Sequence, residues 1–225
     1  MNCKIIPVIN CENLNCVQQR LQISNDLNVD WLHFDIVDYT FSNKITWNNP
    51  EEIKNNNLIK NKNIELHLMT KDILETITLW INNKIIPKRV IVHWEIINNQ
   101  QNQLNQIFEL GANYNIEIML AIKKETPVQV LFNYLDLIWS VQLLAVDVGF
   151  SGEAFDTTVL EKIKVLKERA PDLTIEIDGG IRPETLKQCK EYGADLFASS
   201  SYIFNSNDYK KSYNDLISAA EAADS

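Results

Sequence analysis

Two apolar segments of this sequence carry histidines at positions that a β-strand would turn to one face. In the first, His33 and Asp35 are two residues apart, so strand alternation places both on the same side. In the second, Glu65, His67 and Met69 alternate in the same way. The intervening residues are apolar and suited to packing against helices, so we predict that the ionisable side chains point into the fold.

A third apolar segment carries two carboxylates, Glu176 and Asp178, on one predicted strand face. Burying several ionisable groups is costly unless they pair with one another or bind a metal. Each residue alone also fits a structural hydrogen bond, a helix cap or a turn. Two imidazoles together with two carboxylates suit a divalent transition metal with positions open for substrate oxygens. The residue types therefore indicate a metal site.

Glycines follow two of the apolar segments directly, as the run Gly149-Phe150-Ser151-Gly152 and as the pair Gly179 and Gly180. Glycine at the end of a strand lets backbone N–H groups turn toward a ligand, and a tight turn is the alternative interpretation. On the sixth and seventh strands of a barrel, such turns fall where these folds bind phosphate. Gly111 and Gly193 follow helical patterns and are predicted to end helices.

Short apolar runs alternate with amphipathic stretches along the whole chain, which predicts parallel strands joined by helices. The predicted strands are Lys4–Ile9, Trp31–Val37, Ile64–Met69, Arg89–Trp94, Glu117–Ile122, Leu137–Asp147, Thr174–Asp178 and Asp195–Ser199. The predicted helices are Asn13–Leu27, Lys71–Asn82, Gln101–Leu110, Thr126–Asn133, Asp156–Arg169, Pro183–Glu191 and Asp208–Ala222, with a poorly formed one at Pro50–Leu58. This alternation favours a single (β/α)8 TIM barrel over residues 1–225, with a doubly wound open sheet as the alternative.

Composition narrows the class of partner. The chain has 225 residues, of which 45% are hydrophobic and 23% charged, and a formal net charge of -9. This charge argues against nucleic acid or an anionic membrane surface as a partner, but it leaves a small anionic substrate open. No apolar run is long enough to predict a membrane span. The spacing of the cysteines fits no metal site, so we expect free thiols in a cytoplasmic protein at Cys3, Cys11, Cys16 and Cys189.

Several motifs, taken in order along the chain, resemble those of the ribulose-phosphate 3-epimerase family. The segment from His33 to Asp38 resembles the family's His-x-Asp-x-Met-Asp signature, and the two glycine runs resemble its two glycine loops. The other matching segments are Phe41–Thr46, Leu66–Met69, Val92–Glu95 and Thr126-Pro127, and the second glycine run lies within the matching segment Ile177–Ile181. The resemblance extends over nearly the whole chain, and the ordered set is more specific than any single motif.

The resemblance implies a TIM barrel of the ribulose-phosphate binding type and a metal-dependent isomerase. His33, Asp35, His67 and Asp178 would hold a divalent ion, which is zinc, iron or manganese in this family. Asp35 and Asp178 would also act as acid and base at carbon 3 of D-ribulose 5-phosphate, giving D-xylulose 5-phosphate through an enediolate. Met69 would shield that intermediate from water.

The resemblance also implies a phosphate site for a small phosphorylated ketose. Its residues would come from three turns, Gly149–Gly152, Gly179-Gly180 and Ser200-Ser201, where the last pair stands in place of the family's Gly-Ser. Related proteins form homo-oligomers, and the same is expected here. His93 has no assigned role.

Seven positions depart from the family pattern, and two of them are Val37 in place of the signature methionine and Val148 in place of the proline before the first glycine run. Valine replaces a serine at position 8, tyrosine a glycine at 39, and glutamate a glutamine at 153, while Ala145 is placed where a third shielding methionine is expected and Ser200 where a glycine is. These changes leave two alternatives open. One is a 3-epimerase for another ketose phosphate, such as a hexulose 6-phosphate. The other is a catalytically silent binding protein on the same barrel.

Overall fold

The computed structural model describes residues 4–147 and 154–223. Eight parallel strands form a closed barrel in chain order, and the last strand pairs with the first. The strands are β1 (Lys4–Ile9), β2 (Trp31–Val37), β3 (Asn63–Met69), β4 (Arg89–His93), β5 (Glu117–Ile122), β6 (Ser140–Leu144), β7 (Thr174–Asp178) and β8 (Leu196–Ser199). The predicted TIM barrel is confirmed, and the open-sheet alternative is wrong.

Helices connect the strands. They are α1 (Leu14–Asp26), α2 (Ile73–Asn82), α3 (Trp94–Ile97), α4 (Gln101–Tyr114), α5 (Thr158–Arg169), α6 (Pro183–Glu191), α7 (Ser201–Phe204) and α8 (Tyr209–Ala222). Two further segments, Pro50–Glu52 and Val128–Tyr134, are 3-10 helices. The first shortens the helix predicted at Pro50–Leu58, and the second takes the place of the α-helix predicted at Thr126–Asn133.

The prediction for the sixth strand was too long. Leu137 and Trp139, which extended its apolar run, are 61% and 82% exposed and precede the strand. The backbone N–H groups of Leu137 and Ile138 both donate to the carbonyl of Tyr134, so this segment closes the preceding turn.

The prediction for Gly111 was wrong, whereas that for Gly193 is confirmed. Helix α4 continues past Gly111, and Asn115 caps it in the left-handed conformation with φ 54°. Gly111 is required for close packing, because a Cβ there would lie 2.9 Å from the carbonyl oxygen of Ile116. Gly193 follows the end of α6 with φ +106°, a conformation that favours glycine.

Contacts divide the chain into two compact units, one of Val8–Met119 and one of Met1–Pro7 with Leu120–Ser225. In the first unit, the face of β2 opposite to His33 is apolar. The Phe34 ring packs edge-on against Trp80 of α2 at 5.1 Å. In the second unit, Ile175 and Ile177 of β7 are fully buried and alternate with Glu176. A single domain over residues 1–225 stays a prediction.

The expectation of free thiols was wrong for two cysteines. Cys11, just beyond β1, and Cys16, in the first turn of α1, form a disulfide. The βα turn brings their Cα atoms to 5.7 Å, within the range that a disulfide spans. Cys189 is a buried free thiol, and Cys3 lies outside the described residues.

In the described part of the chain, every helix is too short or too polar to cross a lipid bilayer.

Candidate active site

The alternation predicted for β2 and β3 is borne out by their pairing. The strands run parallel in a register that places His33 beside Glu65 and Asp35 beside His67. All four side chains are buried, and the two histidines have no exposed surface. Neighbouring residues in a sheet point to the same face, so this register gathers the ionisable groups on the inner side of the barrel wall.

One carboxylate lies between two imidazoles. Asp35 Oδ1 is 3.0 Å from His33 Nε2 and 3.0 Å from His67 Nδ1. Its other oxygen, Oδ2, accepts a hydrogen bond of 2.8 Å from Asn10 Nδ2, beyond the end of β1. The three ligand atoms from His33, Asp35 and His67 lie within 4.8 Å of one another.

Electrostatics reinforce this arrangement. Burial by itself lowers the pKa of His33, but hydrogen bonds and charges from Asp35 and Glu65 outweigh it and hold the pKa well above its usual value. Burial raises the pKa of Asp35, and the bonds from His33 and His67 overcome this and lower it. Asp35 is therefore ionised at neutral pH.

This donor set fits a divalent transition metal. Two imidazole nitrogens and a carboxylate oxygen are the ligand types that zinc and its neighbours prefer. A bound ion would take the place of the protons that now lie between these atoms, because a ligating imidazole must be neutral.

His33 contacts a buried ion pair formed by Glu65 and Arg89. His33 Nδ1 is 2.7 Å from Glu65 Oε1, and Glu65 Oε2 accepts a 2.9 Å bond from Arg89 Nη1. Arg89 also donates through Nε to Glu117 Oε2 at 3.0 Å. We did not predict a role for Arg89 or Glu117. The sequence did contain a signal for Arg89: strand alternation places it on the same face of β4 as His93.

His93 contacts the second histidine of the site. Its Nε2 lies 2.8 Å from Nε2 of His67, and the two rings stack at 5.0 Å. Its Nδ1 lies 3.2 Å from Glu95 Oε2, and the Phe41 ring packs against it at 4.7 Å. Residue spacing offers no basis for predicting this role, because ring contacts across β3 and β4 depend on the strand register.

Asp178 belongs to the second unit, where it ends β7 and is half-buried. Its carbonyl accepts a 2.8 Å hydrogen bond from the N–H of Ala145, and it pairs in register with Leu144 of β6. Leu144 shares a strand face with Gln142, whose side chain bonds Glu176 at 2.9 Å. Leu144, and not Ala145, is therefore the apolar residue on the face that carries these polar groups, which corrects the position inferred from the family pattern.

The pair of glycines after β7 has the conformation expected of a glycine turn. Gly179 and Gly180 have φ of +95° and +66°. A Cβ on Gly179 would lie 2.3 Å from Val146 Cγ2, so another residue there would meet both strain and a clash. The turn predicted at Gly149–Gly152, together with Glu153, lies outside the described residues.

Ser200 does not occupy the left-handed region that favours glycine. Its φ is -109°, which any residue adopts, and Ser201 begins the short helix α7. Of the other departures from the family pattern, Val8 is buried and pairs in register with His33, and Tyr39 is 72% exposed.

Sequence comparisons with known proteins relate the chain to one protein family. A model of the ribulose-phosphate 3 epimerase family matches residues 4–204. The ribulose-phosphate 3-epimerase of Buchnera aphidicola subsp. Baizongia pistaciae is 29% identical over 197 residues, covering 84% of each chain. That of Bacillus subtilis is 27% identical over 218 residues, covering 95% of this chain and 97% of its own.

Solved structures with low sequence identity share the fold. KGPDC from Streptococcus mutans superposes with a TM-score of 0.72 at 16% identity, covering 99% of both chains. The 3-hexulose-6-phosphate synthase of Salmonella typhimurium gives 0.70 at 13% identity, covering 98% of this chain and 99% of its own.

Proposed function

This chain belongs to the ribulose-phosphate 3-epimerase family, a family of isomerases, and from that membership we propose that it inverts carbon 3 of D-ribulose 5-phosphate to give D-xylulose 5-phosphate. The observation that carries the proposal is the buried Asp35 carboxylate between His33 and His67. A two-base inversion at an acidic carbon needs an ionised carboxylate of this kind.

In this proposal, His33, Asp35, His67 and Asp178 hold one divalent ion, which is zinc, iron or manganese. Asp178 ends β7, and Asp35 and His67 lie in the C-terminal halves of β2 and β3. His33 lies two residues before Asp35 on the same face of β2. The C-terminal ends of parallel barrel strands meet at one rim, where the sites of TIM barrels lie. When bound, the ion supplies positive charge that stabilises the enediolate oxygens.

Asp35 and Asp178 carry the proton in this mechanism. One carboxylate removes the proton from carbon 3, and the C–H electrons move into the bond to carbon 2, which leaves an enediolate. The other aspartate, which enters the step as the neutral carboxylic acid, donates its proton to carbon 3 from the opposite face, so configuration inverts without a change in oxidation state. Met69, buried at the end of β3, would exclude water from the intermediate.

The substrate phosphate is assigned to the turns after the last strands. Backbone N–H groups at Gly179 and Gly180, with Ser200 and Ser201, would bind it, together with the run Gly149, Phe150, Ser151 and Gly152. The positive φ of the glycine pair supports this assignment. We further propose a cytoplasmic homo-oligomer whose ligand is a small phosphorylated ketose, with no nucleic acid or membrane partner.

Deuterium exchange tests the proposal. Metal-loaded protein in D₂O should incorporate deuterium at carbon 3 of ribulose 5-phosphate, and Asp178→Asn should not. Asp172→Asn, an exposed position before β7, is the matched control and should remain active.

Three results would contradict parts of the proposal. Exchange confined to a hexulose 6-phosphate would show that the proposed substrate is wrong. The absence of exchange with any ketose phosphate, in protein shown to contain metal, would indicate a silent binding protein. Activity in Asp178→Asn would rule out the two-base mechanism.

A further inference from the structure

We propose that Glu65 and the His93–Glu95 pair are positioning residues that fix the ring tautomers of His33 and His67, with a lone pair of each imidazole directed at one shared cation. The inference rests on the metal site proposed above and adds three residues outside the ligand set. Its support is the hydrogen-bond geometry of these side chains.

The contact between His67 and His93 fixes one proton. Two ring nitrogens at 2.8 Å must share a single hydrogen, so one Nε2 donates and the other accepts. If His67 is to bind a cation through Nδ1, which faces Asp35, its remaining proton must be on Nε2. His67 is then the donor, and Nε2 of His93 holds the accepting lone pair.

Glu95 makes this assignment consistent. A neutral His93 that accepts at Nε2 carries its proton on Nδ1, and that nitrogen lies 3.2 Å from Glu95 Oε2. A carboxylate only accepts, so it favours this tautomer and disfavours the other, which would set a lone pair against the carboxylate. The Phe41 ring packs against the His93 imidazole, with 4.7 Å between the ring centres.

Glu65 does the same for His33. The 2.7 Å contact with Glu65 Oε1 places a proton on His33 Nδ1 and leaves Nε2 to face Asp35. Glu65 is itself fixed, since its second oxygen is bound by Arg89. Carboxylates that orient ligating histidines in this way raise metal affinity by about 10- to 100-fold in other proteins.

Nitrogen NMR of the zinc-loaded protein with ¹⁵N-labelled histidine tests the assignment directly. We expect protons on Nδ1 of His33, Nε2 of His67 and Nδ1 of His93. A proton on Nε2 of His93 would overturn the inference while leaving the metal site and the epimerase proposal intact. If the wild-type protein binds none of zinc, iron and manganese, the metal site itself is wrong, and the inference falls with it.

Zinc affinity of two variants supplies an independent measurement, made by competition with a chelator. Glu95→Leu removes the acceptor of His93 and acts on His67 only through that ring, so it should weaken zinc binding by up to about 10-fold, the lower end of the effect of a direct partner. Glu95→Gln, which keeps an acceptor oxygen, should lose less. Glu75→Gln, an exposed position on α2, is the matched control and should bind zinc as the wild type does. Thermal melting of the metal-free variants shows whether each one folds. Wild-type affinity in folded Glu95→Leu would overturn the inference.

Discussion

Replacing Arg89 by methionine should strongly destabilise the protein. Arg89 is only 7% exposed, and its Nη1 bonds the fully buried Glu65 at 2.9 Å. Its guanidinium also lies 4.8 Å from the centre of the Trp31 ring. Methionine keeps the apolar stem but removes the cation from Glu65 Oε2, so this buried carboxylate is left with His33 as its one named cationic partner and loses half of its charge compensation.

The magnitude follows from the burial of this pair. Breaking a buried ion pair from one side costs about 3–5 kcal/mol. In a chain of this size each kcal/mol lowers the melting temperature by about 2–4 °C, so we expect a fall of about 6–20 °C. The double variant Glu65→Leu with Arg89→Met removes both charges and should recover part of this loss. It should still bind zinc more weakly than the wild type, because His33 loses its acceptor.

Calorimetry of the metal-free proteins measures the effect without the stabilisation that a bound ion adds. Lys211→Met is the control, since Lys211 pairs with Asp215 at 2.7 Å on the exposed side of α8. An exposed pair contributes little, so its loss should leave the melting temperature unchanged. If Arg89→Met melted within about 2 °C of the wild type, the buried ion pair would contribute far less to stability than the roughly 3–5 kcal/mol expected here.

Three further outcomes are expected. The pKa of His33 is raised in the folded state, so protonation of His33 stabilises the metal-free protein, fully so below the unfolded-state pKa. The melting temperature should therefore fall as pH rises through the raised pKa. A melting temperature that stays constant over this alkaline range would contradict the prediction. Burial raises the pKa of Cys189 to about 12, so mass spectrometry should find it unalkylated in native protein and alkylated after unfolding. Gly179→Ala should lower the free energy of unfolding by roughly 2–5 kcal/mol, because the strain of the left-handed conformation adds to a clash with Val146. Chemical denaturation measures this change, and a loss below about 1 kcal/mol would argue against that backbone conformation.

Strand alternation was sufficient to predict the inner face of β2 and β3. Leu32 and Phe34 are apolar and alternate with ionisable residues, so only one orientation buries the apolar side against helices. The same reasoning failed at the start of β6, where Leu137 and Trp139 are apolar but exposed. Hydrophobicity alone cannot distinguish a strand from an apolar turn.

The contacts that His93 and Arg89 make at the site could not be predicted from single segments of the sequence. The contact of His93 with His67 requires the pairing of β3 with β4, and the bond of Arg89 to Glu65 requires the same pairing. The disulfide between Cys11 and Cys16 depends on how the chain turns from β1 into α1. Register and turn geometry are tertiary properties, and the spacing of residues along one strand does not encode them.

The pairing of β2 with β3 has a consequence for how the barrel assembles. A slip by one residue would expose the charged side chains to the helices, and a slip by two would seat Asp35 beside Glu65, or His33 beside His67. Like charges adjacent in the interior repel, so each misaligned pairing is penalised. The same four side chains therefore favour the observed register of β2 and β3 over the registers displaced by one or two residues, independently of any role in catalysis.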